Sequence, residues 1–386
     1  MSARRADGRG GRVLFVCRST SGHPGSGGME RVLDELLRAA REAGHDVALL
    51  TTPGGGTSEA AVVWTAGRTG GRYSWRWWWE SSRSGPWTRW QPDAVVSVGD
   101  AGGALVLRRR RPPVAVQVHG TTGTELASSL RARTRRELLK VPLHVLRFPS
   151  RRLFVRRADA VWPVSDALRD ALLRAPYRLD PRRVTTLHNG VDPRALDAAP
   201  DDVAAVAELV GARDGGLTGL YVGRLHEQKG VDLAIGALGV LPSDHRLVVA
   251  GDGPDADRLR ALARARGLDG RVTFVGAVPR GTVAALLRVA DVLLVPSLRT
   301  EGAPVVLLEA AAVGVPVVAT RHAQVPAELA AGATVVAASV DALAAGWRAA
   351  TTRGRAPYLP AALTRDHVGA AYARALDGLV RSGGAR

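Results

Sequence analysis

Two glutamates, Glu301 and Glu309, stand eight positions apart in the stretch RTEGAPVVLLEA at residues 299–310. A carboxylate is costly in an apolar stretch unless it has a partner. Gly302 and Pro304 prevent a continuous helix from Glu301, so Glu301 is predicted in a loop and Glu309 on the second turn of a helix. Because carboxylates only accept hydrogen bonds, both suit a ligand rich in hydroxyl groups.

A second loop, GRLHEQKG at residues 223–230, places the cations Arg224 and Lys229 five positions apart between two glycines. Free N–H groups and the helix dipole favour negative charge at a helix start. Arginine can bind phosphate through two parallel bonds, and lysine supplies a point charge. Two solvated surface cations would give the same pattern. Together with the two glutamates, however, these cations indicate a ligand that is anionic in one part and polyhydroxylated in another, such as a nucleotide-sugar.

Short valine-rich strands alternate with amphipathic helices along the chain, which predicts parallel α/β sheets covered on both faces. One series runs from GRVLFVC to RVTTLHNGVD and a second from LTGLYVGRL to VPVVAT. Ligands bind beyond the carboxyl ends of the strands in such sheets, where both loops fall. The predicted organisation is a domain at 1–195, a linker at 196–216, a domain at 217–365, and a final helix and tail at 366–386.

The composition is that of a folded protein long enough for two cores: 386 residues, 46% hydrophobic and 23% charged. The single cysteine, Cys17, excludes an internal disulfide framework and favours a reducing cytoplasm. It lies in the run VLFVC, which is typical of a buried strand rather than of a catalytic thiol. That run is too short for a signal-peptide core, and Glu309 argues against a membrane span at 303–320.

The net charge of +17 is uneven, because residues 1–200 hold 33 Lys and Arg against 18 Asp and Glu. Seven of the nine tryptophans lie from Trp64 to Trp90, and residues 131–157 hold ten cations against one acid. This pattern favours peripheral binding to an anionic membrane, with a plain helix face plus an irregular insertion as the alternative. Nucleic-acid binding would fit the charge, but no recognised motif accompanies it, so no nucleic-acid partner is expected.

The run GRLHEQKG…AGDGP…VTFVGAV…ADVLLVPSLRTEGAPVVLLEAAAVGVPVVAT resembles the large family of retaining glycosyltransferases with the GT-B fold (glycosyl transferases group 1, family 4). The signature of that family is Glu-x7-Glu in the second domain. Residues 215–320 match in motif order and spacing, and the first half matches more loosely through GGMER, VHGT, VSDALRD and HNGVD. The resemblance implies two Rossmann-like doubly wound domains facing each other across a cleft, with the C-terminal helix crossing back to the first.

The resemblance also implies a role for each matching residue. Arg224 and Lys229 would bind the donor diphosphate and stabilise its charge as it leaves, while Glu301 and His119 would contact the donor sugar; these four are the expected catalytic residues. Glu309 would accept hydrogen bonds from the ribose hydroxyls. The other expected donor-binding residues are Gly27, Gly28, Ser165, Gly223, Gly302, Ala303, Pro304 and Val305. The Gly27-Gly28 loop would approach the phosphates by its backbone amides, which needs residues without a Cβ.

The reaction that the resemblance implies is transfer of a sugar from a nucleotide-diphosphate-sugar to an acceptor hydroxyl with retained configuration, in the synthesis of cell-envelope polysaccharide or glycolipid. The expected partners are the donor and a glycan, lipid-linked or small-molecule acceptor, in the cytoplasm or at the inner face of the cell membrane. No cofactor and no metal are expected. Asp255-Ala-Asp257 is similar to an Asp-x-Asp metal motif, but it begins a predicted helix, where acids suit the dipole.

Three alternatives stay open: a catalytically weak nucleotide-sugar-binding protein, an enzyme for soluble small-molecule acceptors, and a two-domain epimerase. The epimerase would need acid and base carboxylates that the sequence does not clearly offer. Two departures from the family pattern bear on the first alternative. Ala303 stands where a bulky apolar residue is usual, and Ala323-Gln324-Val325-Pro326-Ala327 replaces Gly-Gly-Val-Pro-Glu. Val278 and Pro279, after VTFVGA, are candidate neighbours of the base.

Overall fold

The computed structural model describes residues 10–23, 27–57, 59–68, 70–71, 74–83, 85–131, 141–211, 215–350 and 355–384. The chain divides into two compact units. The first unit comprises Met1–Gly123, Pro142–Asn189 and Arg365–Arg386, and the second comprises Thr124–Val141 and Gly190–Thr364. Each unit has its own six-stranded parallel sheet, which confirms the predicted α/β fold with two Rossmann-like domains.

The first sheet has the strand order β3-β2-β1-β4-β5-β6, and every neighbouring pair is parallel. Its strands are Arg12–Val16 (β1), Asp46–Thr51 (β2), Val62–Thr65 (β3), Ala94–Val98 (β4), Val114–Val118 (β5) and Ala160–Pro163 (β6). The helices that follow in this part of the chain are Gly28–Glu42 (α1), Trp75–Ser82 (α2), Pro86–Arg89 (α3), Gly103–Val106 (α4), Thr122–Arg131 (α5), Val141–Arg157 (α6) and Asp166–Leu173 (α7).

The second sheet has the order β12-β11-β10-β7-β8-β9, again parallel throughout. Its strands are Thr218–Val222 (β7), Arg246–Ala250 (β8), Val272–Gly276 (β9), Val292–Val295 (β10), Val317–Thr320 (β11) and Ala333–Val336 (β12). Its helices are Pro200–Val210 (α8), Val231–Gly239 (α9), Ala256–Ala265 (α10), Arg280–Val289 (α11), Val305–Val313 (α12) and Val340–Ala349 (α13). The chain runs outward from β7 to β9 and then returns to β10 on the other side of β7, so the strand order reverses between β7 and β10.

Helices cover both faces of the second sheet, which explains why its strands are hydrophobic without alternation. Successive strand residues point to opposite faces. Leu220 packs into an apolar cluster with Leu293, and its neighbour Tyr221 packs into a different cluster with Leu294 and Trp347. Two apolar layers therefore pack against the sheet, one on each face.

The C-terminal helix, Arg365–Gly384 (α14), belongs to the first unit and packs against α1. The ring of Tyr372 is fully buried and lies edge-on to Trp162, with 5.3 Å between the ring centroids. Arg365 forms an ion pair of 2.9 Å with Glu35 on α1. This arrangement agrees with the expected return of the last helix to the first domain.

One local expectation was wrong. RVTTLHNGVD forms no strand, and only two isolated bridges involve it, from Val184 to Val161 and from Val191 to Thr364. The short strands β3 and β12 and the helix α13 were not anticipated. The helical middle of residues 196–216 is α8, which packs on α11 and so belongs to the second unit. None of the described helices has the length and apolar character needed to cross a membrane.

Cys17 lies directly after β1 and is fully buried. Burial raises the pKa of its thiol to about 12, and the Sγ atom contacts the carbonyl oxygen of Ser19 at 3.1 Å. A thiol that stays protonated is a poor nucleophile. Cys17 is therefore a structural residue, as its sequence context predicted.

Candidate functional site

The carboxyl ends of β7 and β10 lie side by side at the point where the strand order reverses, which is where ligands bind in doubly wound sheets. The loops that follow these strands are bonded to each other, because the amides of Leu298 and Arg299 both donate to the carbonyl oxygen of Gln228, at 2.9 and 3.1 Å. Gly230 adopts φ +67°, and a Cβ there would overlap the carbonyl oxygen of Pro296. Glycine is required at this position for close approach of the two loops.

Lys229 and Glu301 form an ion pair within this double loop. The Lys229 Nζ atom lies 2.7 Å from Glu301 Oε1 and 2.9 Å from Oε2. The hydroxyl of the buried Ser297 donates to the same Oε1 at 2.8 Å, and the Glu301 amide donates to the His322 carbonyl at 2.8 Å. The Glu301 side chain is only 13% exposed, whereas Lys229 is 31% exposed. The carboxylate is thus fixed, and the cation still faces solvent.

Arg224 is the second cation of this loop. Its carbonyl oxygen accepts a hydrogen bond of 2.9 Å from the hydroxyl of Tyr221. Burial, assisted by the charge of Glu301, raises the pKa of Tyr221 far above its ordinary value, so this hydroxyl remains a donor. The Arg224 side chain is exposed, and within the part of the chain that the structure describes its guanidinium has no hydrogen bond or ion pair. It is therefore available to an anionic ligand.

Two glycines of the AGDGP motif shape the same loop, and sequence reasoning assigned them no role. Gly251 and Gly253 have φ values of +144° and +159°. A Cβ at Gly251 would overlap the Gly223 carbonyl, and one at Gly253 would overlap the Leu225 carbonyl. Leu225 also donates its amide to the Asp252 carbonyl at 2.9 Å. The loop after β8 therefore packs directly against the Arg224 loop. The two glycines of the AGDGP motif could have indicated this close contact from the sequence.

Glu309 lies on the second turn of α12 and is 1% exposed. Its Oε1 atom lies 4.0 Å from the Nε atom of Arg280, the first residue of α11. Pro304 caps α12, and the preceding residue, Ala303, is buried with φ +63°. A small side chain suits this left-handed conformation better than the bulky residue usual in the family. Sequence reasoning did not anticipate Arg280 at this site.

Four of the expected site residues belong to the first unit, at the carboxyl ends of β1, β5 and β6. Gly27 caps α1, and its amide donates to Glu30 Oε2 at 2.9 Å, while Ser19 donates to the other carboxylate oxygen. Gly27 has φ −139°, and a Cβ there would meet only Glu30 Oε2, at 3.7 Å. Contacts within the unit therefore leave room for a Cβ at Gly27, and the expected approach of this loop to the phosphates stays a prediction. Gly28 is the first residue of α1.

His119 follows β5, and its Nε2 atom is buried without a hydrogen-bond partner among the described residues. Burial lowers the pKa of His119 to about 4, although the nearby charge of Glu30 acts in the opposite direction. His119 is therefore neutral at pH 7 and can donate or accept a hydrogen bond but supplies no charge. Ser165 caps α7 by accepting a bond of 3.3 Å from the amide of Leu168, which leaves its hydroxyl proton for another acceptor.

The Asp-x-Asp sequence at the start of α10 is engaged in ion pairs with its own helix. Asp255 lies 3.0 Å from Arg258, and Asp257 lies 3.2 Å from Arg260. Ion pairs between residues three positions apart are common on the surface of a helix.

The second sheet thus places Lys229 and Glu301 in contact. Arg224 and Gly223 lie on the same loop as Lys229, Gly302, Ala303 and Pro304 follow Glu301 in its loop, and Val305 and Glu309 lie on the helix that comes next.

The tryptophan-rich segment of the first unit contributes mostly to its core. Trp77 is fully buried and donates to the Ala101 carbonyl at 3.1 Å, and Trp87 is also buried. Trp75 and Trp79 are different, with 77% and 49% of each residue exposed. Residues 132–140 of the basic stretch lie outside the described residues.

Comparison with known proteins assigns a family model to each half of the chain. The family model for Glycosyltransferase Family 4 matches residues 26–195, and that for Glycosyl transferases group 1 matches residues 210–353. The second half thus contains a group 1 glycosyl transferase domain. These matches confirm the resemblance inferred from the motifs of the second half.

Two curated relatives cover parts of the chain. A protein of Escherichia coli K12, WcaL, whose name assigns it to colanic acid biosynthesis, is 33% identical over 186 residues, which is 46% of this chain and 43% of its own length. The D-inositol 3-phosphate glycosyltransferase of Mycobacterium sp. strain JLS is 36% identical over 165 residues, which is 41% and 36% of the two chains. The matched segments thus span less than half the length of these relatives.

Solved structures of glycosyltransferases share the fold over nearly the whole length. Anabaena Alr3699/HepE in complex with UDP-glucose aligns with a TM-score of 0.67 and 18% identity, covering 97% of this chain and 99% of its own. The likeness at this identity concerns the fold.

Proposed function

We propose that this protein transfers a sugar from a nucleotide-diphosphate-sugar to an acceptor hydroxyl with retention of configuration. The observation that carries the proposal is the Lys229–Glu301 ion pair beside the exposed Arg224, at the point where the strand order reverses. A fixed carboxylate next to two solvent-facing cations suits a ligand that joins a sugar to a diphosphate. The UDP-glucose bound to Alr3699/HepE, which has the same fold, supports this class of donor.

The chemistry follows from where charge develops. As the bond between the sugar and the diphosphate breaks, negative charge accumulates on the departing phosphate oxygens. Preorganised cations aimed at that charge lower the barrier, because they need not reorient during the reaction. Arg224 can bind the diphosphate through two N–H groups, and Lys229 supplies a point charge. These two cations supply the charge that a divalent metal would otherwise supply, so we propose a metal-independent reaction without a cofactor.

The two glutamates divide the rest of the donor between them in this proposal. Glu301 is held by the hydroxyl of Ser297 and accepts hydrogen bonds from sugar hydroxyls. Lys229 keeps one hydrogen bond to Glu301 and donates another to the diphosphate. Glu309 accepts from the ribose hydroxyls. The backbone from Gly302 to Val305 lines the sugar. In the first unit, Gly27, Gly28, Ser165 and His119 are the proposed donor contacts, and His119 acts there as a neutral hydrogen-bonding group.

The proposed acceptor is a glycan or lipid-linked sugar of the cell envelope, which agrees with the colanic acid assignment in the name of WcaL. A soluble acceptor is the second candidate, because the mycobacterial relative is named for D-inositol 3-phosphate. Assay of transfer to lipid-linked and soluble acceptors, with the anomeric configuration of the product determined by NMR, separates these candidates. An inverted product would contradict the retaining mechanism.

An anionic membrane surface is the proposed location of a lipid-linked acceptor. Three neighbouring helices of the first unit carry large exposed apolar side chains: Trp75 and Trp79 on α2, Leu107 just after α4, and Leu146 and Leu153 on α6. A Cβ at Gly103 on α4 would contact both Trp78 of α2 and Phe154 of α6, so the three helices meet there. Exposed arginines accompany these side chains, namely Arg83, Arg109, Arg110, Arg156 and Arg157. Aromatic and aliphatic groups with arginines are typical of surfaces that lie on anionic lipid.

Co-sedimentation with vesicles of phosphatidylglycerol and phosphatidylcholine tests this location. We expect binding at low salt that weakens in a variant with Trp75→Ser and Trp79→Ser. Val335→Ser is a matched control, because Val335 is exposed but lies on β12 of the second unit. Failure of the wild type to bind at low salt would remove the membrane from the proposal without affecting the donor site.

Calorimetric titration with UDP, GDP, ADP and TDP in EDTA tests the donor site. We expect micromolar binding of at least one nucleotide by the wild type, and weaker binding by Lys229→Ala. Arg264→Ala is a matched control, because Arg264 is an exposed cation on the last turn of α10. Absence of binding to every nucleotide and to the corresponding nucleotide-sugars would contradict the proposed function.

A further inference from the structure

Arg280 occupies a defined position beside the buried Glu309. It is the first residue of α11, which follows β9, and its Nε atom lies 4.0 Å from Glu309 Oε1. This is the one ion pair that Arg280 makes within the described part of the chain, and its side chain is 33% exposed. Arg280 therefore belongs to the part of the candidate site that contains Glu309.

The Nε–H group of Arg280 is a buried donor that lacks a hydrogen bond among the described residues. A separation of 4.0 Å is too long for one. Buried polar groups are nearly always satisfied, so a buried donor left over at the edge of a candidate site calls for an explanation. The rest of the guanidinium reaches solvent, where a ligand can approach it.

The roles proposed for these groups follow the parts of a nucleotide-sugar. Lys229 and Glu301 would hold the diphosphate and sugar, and Glu309 would hold the ribose. The base is attached to the ribose at the end opposite the diphosphate, so the next protein group beyond Glu309 is placed to meet the base. Arg280 lies 4.0 Å from Glu309, so a ribose bound at Glu309 would bring its base within reach of the Arg280 guanidinium. Val278 and Pro279, already candidates for base contact from sequence, directly precede it.

We propose that Arg280 is a specificity-determining residue that donates hydrogen bonds to a keto oxygen of the nucleobase, so the donor carries uracil, thymine or guanine rather than adenine. The inference rests on the proposed donor function. A guanidinium has five N–H donors and no acceptor. Uracil and thymine offer O4 to such a group, and guanine offers O6 with N7, whereas adenine presents its N6 amino donor at the corresponding position. With adenine, the N–H of Arg280 would therefore face the N6 amino group, and no hydrogen bond could form between the two donors.

Calorimetric titration of UDP, GDP, TDP and ADP in EDTA against the wild type and Arg280→Gln tests this inference. We expect the wild type to bind at least one keto nucleotide at least about tenfold more tightly than ADP, the ratio that one charge-assisted hydrogen bond supplies. Because glutamine can either donate or accept, the ratio should fall to within about threefold in Arg280→Gln. Arg264→Gln removes one exposed cation of the same unit and should keep the wild-type ratio.

Each other outcome counts against the inference. An ADP preference in the wild type overturns it even if Arg280→Gln does not fold. A folded Arg280→Gln variant that keeps the wild-type ratio of keto-nucleotide to ADP affinity shows that another group selects the base. If the nucleotide still binds at micromolar concentration in that titration, the proposed donor function stands. No binding of any nucleotide or nucleotide-sugar to the wild type overturns the inference together with the proposed function.

Discussion

Substitution of Lys229 by alanine separates a catalytic role from a structural one. In the protein without ligand, Lys229 makes two hydrogen bonds to Glu301, at 2.7 and 2.9 Å. The lysine is nearly one-third exposed, so solvent screens the pair, and its contribution to folding should be below about 1 kcal/mol. We therefore expect Lys229→Ala to stay folded, with a Tm lowered by only a few degrees, on the order of 2–4 °C for that change in a domain of about 150–250 residues.

The effect on the reaction should be far larger. A hydrogen bond between a cation and a phosphate oxygen contributes about 1.5–3 kcal/mol, which corresponds to roughly tenfold to hundredfold weaker UDP binding when the lysine is lost. A preorganised group that stabilises charge in the transition state is worth about 2.7–4 kcal/mol, or roughly 10² to 10³ in rate. We expect kcat/KM to fall by that factor and the loss in UDP affinity to be smaller.

The assay combines calorimetry with UDP, steady-state transfer rates and thermal denaturation on the same preparations, with Arg264→Ala as the control. Wild-type rates in folded Lys229→Ala would refute the diphosphate assignment. A fall in Tm of ten degrees or more with a matching loss of folded protein would refute the reasoning in a different way. It would show that the Lys229–Glu301 pair mainly stabilises the two loops.

Three further predictions follow from the same structure. Glu309→Ala should weaken UDP binding by roughly tenfold and abolish the wild-type preference for UDP over its 2′,3′-dideoxy analogue; a persisting preference in calorimetry would exclude Glu309 as the ribose contact. Gly230→Ala should lower the free energy of unfolding by about 1–3 kcal/mol, because φ +67° is strained for alanine and its Cβ would overlap the Pro296 carbonyl; an unchanged denaturant midpoint would contradict this. The pKa of His119 is lowered to about 4, so between pH 6.5 and 4 the unfolded chain binds a proton that the native His119 does not, and stability is lost as pH falls. The wild type should therefore lose more Tm than His119→Gln between pH 7 and pH 5, and equal losses would show that His119 is not buried in its neutral form.

The features that could be predicted from sequence are those determined by neighbouring residues. Gly302 and Pro304 place Glu301 in a loop and start the next helix close to Glu309, and the structure has this arrangement. The strands are apolar without alternation because helices cover both faces of each sheet, and this local pattern predicted the two parallel sheets.

The features that could not be predicted depend on residues distant in the chain. Arg280 and Glu309 are on different helices, and nothing in the local pattern of either residue indicates the other. Ser297 reads as an ordinary loop serine until its hydroxyl is seen to donate to Glu301. Likewise Trp77, in a run that suggested an aromatic surface, is buried because α2 packs on α4 and the Ala101 carbonyl accepts its N–H.

The edge strands β3 and β12 show the limit of periodicity arguments. Each has four residues, and none of them is fully buried, so neither shows the continuous hydrophobicity of the central strands. Their pairing with β2 and β11 comes from an existing sheet edge that offers backbone hydrogen bonds. By contrast, RVTTLHNGVD has strand-like composition but pairs only through isolated bridges at Val184 and Val191.

The solvent-facing amine of Lys229 makes the candidate site open to selective chemical labelling. The chain has 53 lysines and arginines, but only two of them, Lys140 and Lys229, are lysines. An amine-directed acylating reagent therefore has few targets, and one of them lies against Glu301 where the diphosphate would bind. Mass spectrometry of the peptide that contains Lys229 would measure how far the amine is labelled with and without nucleotide. The difference in labelling would report how much of the site is occupied.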